Sequence, residues 1–284
     1  MDSSEIKQLQ ILATKARMGA ILGTFCAKSG HPGGSLSAAD IFTYLYFKEM
    51  NVDPKNPKWE DRDRFVLSKG HCCPSLYAVL ALKGYFEWDE LSKLRHVGAM
   101  LQGHPDMKGT PGIDMSTGSL GQGISAACGM ALSAKISNKS YRVYSVLGDG
   151  EVEEGQVWEA AMFAAHNKLD NLVIFVDQNG LQIDGTVDEV AGIEPLDKKF
   201  ESFGFEVFKI DGHDFNQIED ALNKAREVKG KPVAILAKTV KGKGVSFMEI
   251  RLAGMVQLLT KSSTSRQQPS FRLKLTDWRA TANG

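Results

Sequence analysis

Apolar and polar residues alternate along this chain with two different periods. Apolar positions recur at helical spacing near the N-terminus, and later short apolar runs take turns with amphipathic stretches. The pattern predicts helices at 4–29 and 37–50, the second with Ser37 as its N-cap. The elements that follow are strands expected at 64–67, 141–147, 172–176, 205–210 and 233–238 and helices expected at 74–82, 120–137, 153–167 and 215–228. This order predicts an α/β fold, a mostly parallel sheet with helices on both faces.

Composition and charge narrow the class of protein. The 34 basic and 34 acidic side chains balance, so nothing favours nucleic acid or a membrane surface as a partner. No apolar run in the sequence approaches the roughly 18 residues that span a bilayer, and the polar, acidic start is unlike a signal peptide. The four cysteines show neither zinc spacing nor a disulfide framework. We therefore expect a location in the reducing cytoplasm.

Two polar motifs directly follow apolar runs that are predicted to be strands. They are Leu147-Gly148-Asp149-Gly150-Glu151 and Val176-Asp177-Gln178-Asn179-Gly180. The carboxyl ends of parallel strands share one edge of a sheet, where open α/β sheets bind ligands. Asp149 and Asn179 would offer hard oxygens to Mg²⁺, which phosphates usually help to coordinate, and the glycines would let a diphosphate approach the backbone. Gly-Asp-Gly alone is an ordinary turn, but the pair resembles the thiamine diphosphate (ThDP) motif.

Three of the six histidines lie in predicted loops beside glycine or proline. They are His31 in Ser-Gly-His-Pro-Gly-Gly, His71 in Ser-Lys-Gly-His and His104 in Gln-Gly-His-Pro. Each loop alone could be a turn with a surface histidine. Together they favour a site, because imidazole can donate to phosphate and transfer protons near neutral pH. The glycine-rich run at 116–123 does not fit a dinucleotide fingerprint, because no strand precedes it.

The motifs together are specific to one family. Ser-Gly-His-Pro-Gly, Leu-Ser-Lys-Gly-His, Gly-His-Pro-Asp, Ser-Thr-Gly-Ser-Leu-Gly-Gln-Gly, Gly-Asp-Gly-Glu and Asp-Gln-Asn-Gly-Leu-Gln-Ile-Asp-Gly occur here in the order seen in transketolases. Over about residues 5–249 the chain resembles the separately encoded N-terminal, ThDP-binding subunit of a split transketolase. We therefore expect residues 1–249 to form one ThDP-binding domain.

The resemblance implies a role for each matched position near the diphosphate. The side chains of Asp149 and Asn179 and the backbone carbonyl of Leu181 would bind Mg²⁺, or Ca²⁺ or Mn²⁺ in its place. The residues expected to flank the diphosphate are Gly148, Gly150 and Glu151, with His71 donating to it. Lys241, in the basic glycine loop 241–245, is expected near the cofactor or in solvent.

The resemblance also assigns residues around the reacting ring. His31 and His104 would face the hydroxyls of the donor and acceptor sugars, so they and His71 are the candidate catalytic residues. The backbone of Gly118 and Leu120 would contact the aminopyrimidine. Glu154 would join two active sites across a two-fold assembly, unless it is simply a carboxylate at a helix N-terminus.

The implied activity is transfer of a two-carbon ketol unit from a ketose phosphate to an aldose phosphate, as in the pentose phosphate pathway. The glutamate that activates the cofactor belongs to a pyrimidine-binding domain that this chain lacks. We therefore expect a C-terminal partner subunit, with which the chain would form a heterotetramer. The alternatives are another ThDP subunit, such as a 2-oxo acid dehydrogenase alpha subunit or a sulfo-sugar or aminosugar ketolase, and a non-catalytic or damaged half. The three histidines argue against the 2-oxo acid enzyme.

Residues 250–284 do not continue the resemblance. The family leads us to expect Asn-Gln-Ala-Gly-Trp-His-Gly after Glu249, and this chain has a Ser/Arg/Gln-rich run with no clear periodicity. Joining the third base of each tail codon to the first two bases of the next is compatible with Gln-Ala-Gly-Trp-His-Gly-Ala-Ala-Pro-Asn. We interpret 250–284 as an aberrant, poorly ordered tail produced by a frameshift near codon 250, in the gene or in its sequencing. The alternative is a tail that is simply divergent and poorly ordered.

Overall fold

The computed structural model describes residues 1–182 and 184–249. Its α-helices are α1 Ser3–Ala27, α2 Pro32–Ser37, α3 Ala39–Tyr44, α4 Cys73–Lys83, α5 Gln122–Ile136, α6 Gly155–His166, α7 Val187–Val190, α8 Leu196–Ser202 and α9 Phe215–Glu227. Its strands are β1 Arg64–Leu67, β2 Val143–Gly148, β3 Leu172–Gln178, β4 Leu181–Gln182, β5 Gly185–Thr186, β6 Glu206–Asp211 and β7 Val233–Lys238. The tail at 250–284 lies outside the described residues.

The main sheet is parallel throughout its described strands, in the order β1-β2-β3-β7-β6. The carboxyl ends of β2, β3 and β7 therefore lie side by side, with Gly148 paired to Asp177 and Gln178 paired to Lys238. A short antiparallel hairpin of β4 and β5 follows β3 at this edge. The predicted α/β fold is confirmed, and the polar motifs at the strand ends share one edge.

Apolar side chains on the two faces of the sheet belong to separate cores. In β3, Val173 and Phe175 pack with residues of α1, α3, α4 and α9, whereas Leu172, Ile174 and Val176 pack with α5, α6 and α8. This alternation arises because successive strand side chains point to opposite faces. Near-continuous apolar strands are what a parallel sheet covered on both sides requires.

The predicted helix at 37–50 is wrong in its start and its continuity. The helix begins earlier, at Pro32, and breaks at Ala38, and a π-helical turn at Leu45–Glu49 completes the segment. Ser37 is not an N-cap: it ends α2, and its hydroxyl donates to the Gly34 carbonyl and to the Asp177 carboxylate. A tertiary contact with β3 has overridden the local capping preference.

The other predicted helices and strands are present with small shifts at their ends. α5 begins at Gln122 rather than 120, because Gly121 before it adopts a left-handed conformation with φ of 80°. The structure adds elements that the sequence pattern did not indicate: the β4–β5 hairpin, α7, α8 and the 3₁₀ turns Gly70–Cys72, Trp88–Lys93 and Gly150–Glu153. Within 1–182 and 184–249, no helix is both long and apolar enough to cross a membrane.

Gly19 allows α1 to pack closely against α4, and we expect its replacement to destabilise the chain. A Cβ at residue 19 would lie 2.6 Å from the Ala78 Cβ and 2.8 Å from Trp88. Gly19→Ala should therefore lower the free energy of unfolding by about 1–3 kcal/mol through overpacking. The control is Gly129→Ala in α5, where a Cβ has no neighbour within 4 Å, and it should raise stability by about 1 kcal/mol. Urea unfolding measures both, and equal effects would contradict this account of α1–α4 packing.

Candidate active site

The two strand-end motifs meet at the carboxyl edge of the sheet. Asp149 is 4% exposed, and its carboxylate accepts hydrogen bonds from the backbone N–H of Gly150 at 3.0 Å and of Gly180 at 2.6 Å. The loop at 179–181 is thus held against Asp149 by its own backbone. Asn179 Oδ1 accepts from Leu181 N at 3.2 Å, and its Nδ2 lies 3.4 Å from Asp177 Oδ2. The structure therefore brings together the three residues that the sequence predicted as metal ligands.

A buried ion pair lies beneath this loop. Lys69 is 1% exposed and Asp177 is fully buried, and the Lys69 ammonium contacts the Asp177 carboxylate directly. The Ser37 and Thr239 hydroxyls also donate to Asp177. Burial alone would lower the pKa of Lys69, but the Asp177 carboxylate raises it well above its usual range. Burial would raise the pKa of Asp177, but Lys69 and the hydrogen bonds from Ser37 and Thr239 lower it below its usual value, so both groups are charged at neutral pH.

The donor set at this edge suits a hard cation better than a zinc-type metal. The described residues contain no cluster of three histidine, cysteine or acidic side chains that could hold a metal. They do place a carboxylate, an amide oxygen and the Leu181 carbonyl on neighbouring turns, and oxygens of these kinds are the ligands of Mg²⁺ and Ca²⁺. Burial and the charge of Asp177 raise the pKa of Asp149 to about 6, so an added cation would relieve an unfavourable buried charge.

A lysine already lies beside this donor set. Lys241 Nζ donates to the Leu181 carbonyl at 2.7 Å. Burial and the nearby positive charge of Lys69 lower the pKa of Lys241 to about 8. The expectation that Lys241 is simply solvated is therefore wrong, and the expectation of a basic loop close to the strand-end motifs fits the geometry.

Glu151 has its carboxylate turned into the protein. Its side chain accepts from Ser68 Oγ at 2.5 Å, from Gly121 N at 2.9 Å and from Gly148 N at 3.0 Å. With the residue 2% exposed, this carboxylate joins the ends of β1 and β2 to the start of α5. An anion at Gly150 would therefore contact the backbone of Glu151 and not its carboxylate.

The three predicted histidines converge above this edge. The rings of His31 and His71 are in edge contact, with centroids 5.2 Å apart, and the His104 ring lies against Gly118, where a Cβ would be 3.2 Å from it. Burial and the charge of Lys69 lower the pKa of His71 to about 3. Burial and the charge of Arg95 lower the pKa values of His31 and His104. All three imidazoles are therefore neutral at pH 7, so each ring has a nitrogen that can accept a proton.

The remaining predicted residues lie around this group. Gly118 and the half-buried Leu120 precede α5, beside His104. Glu154 is the exposed N-cap residue of α6, and its side chain forms no capping hydrogen bond. Its position matches the helix-terminus interpretation, and a buried network around it would require another subunit.

The sequence motifs contain Lys69 and Asp177 but did not indicate what these two residues do. A carboxylate at the end of an otherwise apolar strand was the available signal, because a buried charge requires a partner. A second network was not indicated at all: Asp40 accepts from Arg17 and lies 2.7 Å from His213 Nδ1, while His213 Nε2 accepts from Val240 N at 2.9 Å. This network holds the backbone of Val240, the residue before Lys241, in place.

Breaking the Lys69–Asp177 pair should be costly. Lys69→Met leaves a fully buried carboxylate uncompensated, and we expect the free energy of unfolding to fall by about 3–5 kcal/mol in urea titrations. The double variant Lys69→Met/Asp177→Asn should lose less than the two single variants added together. Lys139→Met, which removes a surface ion pair with Asp61, is the control and should change little. Additive effects in the double variant would contradict direct coupling.

The raised pKa of Asp149 predicts a pH-dependent stability difference. Its pKa rises from 3.8 to about 6, so between these values the folded chain holds a proton that the unfolded chain has lost. The contribution of this bound proton to the free energy of unfolding is greatest below pH 3.8, and it disappears as the pH rises through about 6. Without divalent cations, the wild type should therefore lose about 3 kcal/mol relative to Asp149→Asn across this range. Parallel pH profiles of the two proteins in urea unfolding would contradict this.

Comparison with known proteins identifies the same family. The model of the transketolase thiamine diphosphate-binding domain matches residues 8–253. The 6-deoxy-6-sulfo-D-fructose transketolase subunit of Clostridium sp. strain MSTE9 is 52% identical over 232 residues, 82% of this chain and 84% of that protein. An apulose-4-phosphate transketolase subunit of Phocaeicola vulgatus is 40% identical over 86% of this chain and 87% of that protein.

Solved structures agree with these relatives. Transketolase from Pichia stipitis in complex with sedoheptulose 7-phosphate superimposes with a TM-score of 0.87 and 34% identity, over 93% of this chain and 40% of that one. The chain thus spans most of the length of the separate subunits and about two fifths of this longer transketolase. Sequence, fold and family match lead to one conclusion: the chain belongs to the transketolase family, as its thiamine diphosphate-binding domain.

Proposed function

We propose that this chain is the ThDP-binding subunit of a two-chain transketolase, which moves a two-carbon ketol unit from a ketose phosphate to an aldose phosphate. The observation that carries the proposal is that the Asp149–Asn179 edge and the three histidines lie together at one end of the sheet. Relatives of subunit length, named as transketolase subunits, support the two-chain arrangement. A cytoplasmic location and a place in the pentose phosphate pathway belong to the same proposal.

The cation that fits the strand-end site is Mg²⁺, with Ca²⁺ or Mn²⁺ as substitutes. Asp149 and Asn179 would bind it through side-chain oxygens and Leu181 through its carbonyl, which would have to part from Lys241. The diphosphate would lie along the backbone of Gly148, Gly150 and Glu151. A Cβ at Gly150 would lie 3.1 Å from the Gln182 side chain, so a larger residue would crowd this turn.

Positive groups around this turn suit a diphosphate. Lys241 donates to a neutral carbonyl, so its charge is not offset by that contact, whereas Lys69 beneath the same loop is paired with Asp177. His71, neutral by virtue of burial and Lys69, would offer an N–H rather than a charge. A buried anion is stabilised by donors of both kinds.

The histidines would then handle protons of the sugar hydroxyls. ThDP, when bound, supplies the carbon nucleophile that accepts the two-carbon unit. His31 and His104 are neutral because burial and Arg95 lower their pKa values, so a ring nitrogen of each can accept a hydroxyl proton and return it. Gly118 and Leu120 would contact the aminopyrimidine through their backbone.

The partner would complete the site. The Glu151 carboxylate is fully engaged by Ser68, Gly121 and Gly148, so it is not free to polarise the cofactor ring. A C-terminal subunit would supply that glutamate. Glu154, exposed at the start of α6, would be covered when two copies associate across a two-fold axis, which gives a heterotetramer.

A second candidate differs in the donor sugar. The relative at 52% identity is named as acting with a sulfonated fructose. A sulfonate and a phosphate are both tetrahedral oxyanions, so a site that binds one of these groups also suits the other. The 2-oxo acid dehydrogenase alternative receives no such support from these relatives.

The proposal predicts cofactor binding without turnover in the isolated chain. ThDP with Mg²⁺ at about 100 times its dissociation constant should raise the free energy of unfolding by about 2.7 kcal/mol, and Asn179→Ala should remove most of this gain. Lys139→Met, on a distant surface, is the control. Ketol transfer from xylulose 5-phosphate or sulfofructose should appear only after addition of a pyrimidine-domain subunit, and pyruvate should not react even then.

Three outcomes would contradict parts of this proposal. Full activity of the chain alone would refute the need for a partner. Activity with pyruvate would favour the 2-oxo acid enzyme. Absence of ThDP binding both alone and in the complex, measured by calorimetry with and without Mg²⁺, would favour a non-catalytic half.

A further inference from the structure

One of the three histidine loops, at 101–105, has a donor at each of its five backbone carbonyls. Leu101 accepts from Arg95 N at 2.9 Å, and Pro105 accepts from Thr117 N at 3.3 Å. The three carbonyls between them accept from side chains. Because backbone carbonyls that face the protein interior need such partners, contacts from outside the loop set its conformation.

Two side chains at the start of α4 bind three of these carbonyls. The Tyr77 hydroxyl contacts the carbonyls of Gln102 and His104 at 3.0 Å each, and the Cys73 thiol donates to the carbonyl of Gly103 at 3.3 Å. One phenol proton between two acceptors forms a three-centre hydrogen bond. Tyr77 therefore holds the backbone on both sides of Gly103.

Tyr77 is a rigid support for this loop. Its side chain is fully buried in the apolar core that α1, α3 and α4 share. Burial raises the pKa of Tyr77 well above its usual range, so the hydroxyl keeps its proton and acts as a donor. A buried phenol needs a hydrogen-bond partner, and the loop carbonyls are the partners here.

Arg95 closes the same loop on itself. Its φ of 64° is in the left-handed region that residues other than glycine seldom adopt, and from this conformation its N–H reaches the Leu101 carbonyl. Its Nη2 lies 3.4 Å from the Gly103 carbonyl, which makes this a long hydrogen bond. The closed loop is attached to the core through α4.

The imidazole of His104 extends from this loop onto Gly118, where a Cβ would lie 3.2 Å from the ring. Thr117 fixes the other side of the contact: its N–H donates to Pro105, and its hydroxyl donates at 2.7 Å to the carbonyl of Leu67, the last residue of β1. A helix and a strand thus determine together where the imidazole lies.

We propose that Tyr77 is a positioning residue, whose hydroxyl holds the backbone of His104 so that the imidazole meets the sugar hydroxyl that gives up its proton. This role rests on the proposed function. A fully buried side chain offers no surface to a sugar, so Tyr77 would act only through His104. Proton transfer needs the two heavy atoms about 2.6–3.2 Å apart, and a displacement of about 1 Å can lower a rate about 100-fold. The competing explanation is that the Tyr77 hydroxyl only stabilises the fold.

Tyr77→Phe removes the hydroxyl and leaves the ring. In the complex with the partner subunit, it should lower kcat for ketol transfer from xylulose 5-phosphate about 10-fold and change the affinity for ThDP by less than about threefold. The matched control is Tyr144→Phe, which removes a buried hydroxyl that donates to Glu49 at 2.7 Å. Tyr144 lies near the opposite end of β2 from the site, so this variant should keep the wild-type kcat.

A double-mutant cycle separates positioning from stability. In a His104→Gln background, Tyr77→Phe should lower kcat no further, because the imidazole that it positions is gone. Equal losses in both backgrounds, or no loss in either, would overturn the proposal. Thermal melting checks that each variant is folded. If Tyr77→Phe does not fold, Cys73→Ala applies the same cycle through the Gly103 carbonyl, with an expected loss of about threefold because a thiol is a weak donor.

NMR of the full chain provides a readout that does not depend on turnover. The ring signals of His104, assigned by their loss in His104→Gln, should shift in Tyr77→Phe and stay in place in Tyr144→Phe. Unchanged His104 signals in Tyr77→Phe would overturn the proposal. If the wild-type complex transfers no ketol unit from any sugar, the proposed function fails, and the NMR comparison alone then decides whether Tyr77 positions His104.

Discussion

The carboxyl edge of the sheet depends on the ion pair between Lys69 and Asp177. Lys69 follows β1, Asp177 is in β3 and β2 lies between these strands, so the Lys69 side chain must cross the end of β2. It passes over Gly148, where a Cβ would already lie 3.6 Å from the lysine stem. Asp177 in turn accepts from Ser37 and Thr239, so a single buried carboxylate fixes α2, β1, β3 and the segment after β7 to one another. The turns that would hold the cation are built on this frame.

The sequence predicted the sheet well because β2, β3 and β7 are largely apolar on both faces, and this signal is local. Packing with two separate cores on opposite faces of β3 is what that composition requires. The failure at Ser37 has a different origin. A serine before an amphipathic stretch is a good N-cap by local rules, but its hydroxyl donates to Asp177, a residue 140 positions away. The periodicity of apolar residues cannot predict a contact between two residues so far apart in the sequence.

The residues of the candidate site also divide into those that the sequence could predict and those that it could not. Asp149 and Asn179 could be found because each follows a strand, and parallel strand ends share an edge. The histidines could be found because they lie beside glycine and proline. The carboxylate of Glu151 could not be placed, since its partners Ser68 and Gly121 come from distant loops. The left-handed conformation of Arg95 was equally hidden, because it is imposed by the closure of its loop on Leu101.

The electrostatics of the site follow from one imbalance. Lys69 is neutralised by Asp177, whereas the described partners of Lys241 and Arg95 are neutral oxygens. Burial and the charges of Arg95 and Lys241 lower the pKa of His31, and burial and the charges of Lys69 and Lys241 lower the pKa of His71. An anion bound beside these cations would offset the part of the lowering that their charge causes, so the pKa values of both imidazoles would rise. Imidazole exchanges protons most effectively when its pKa lies near the working pH. A bound anion would thus make both imidazoles stronger bases.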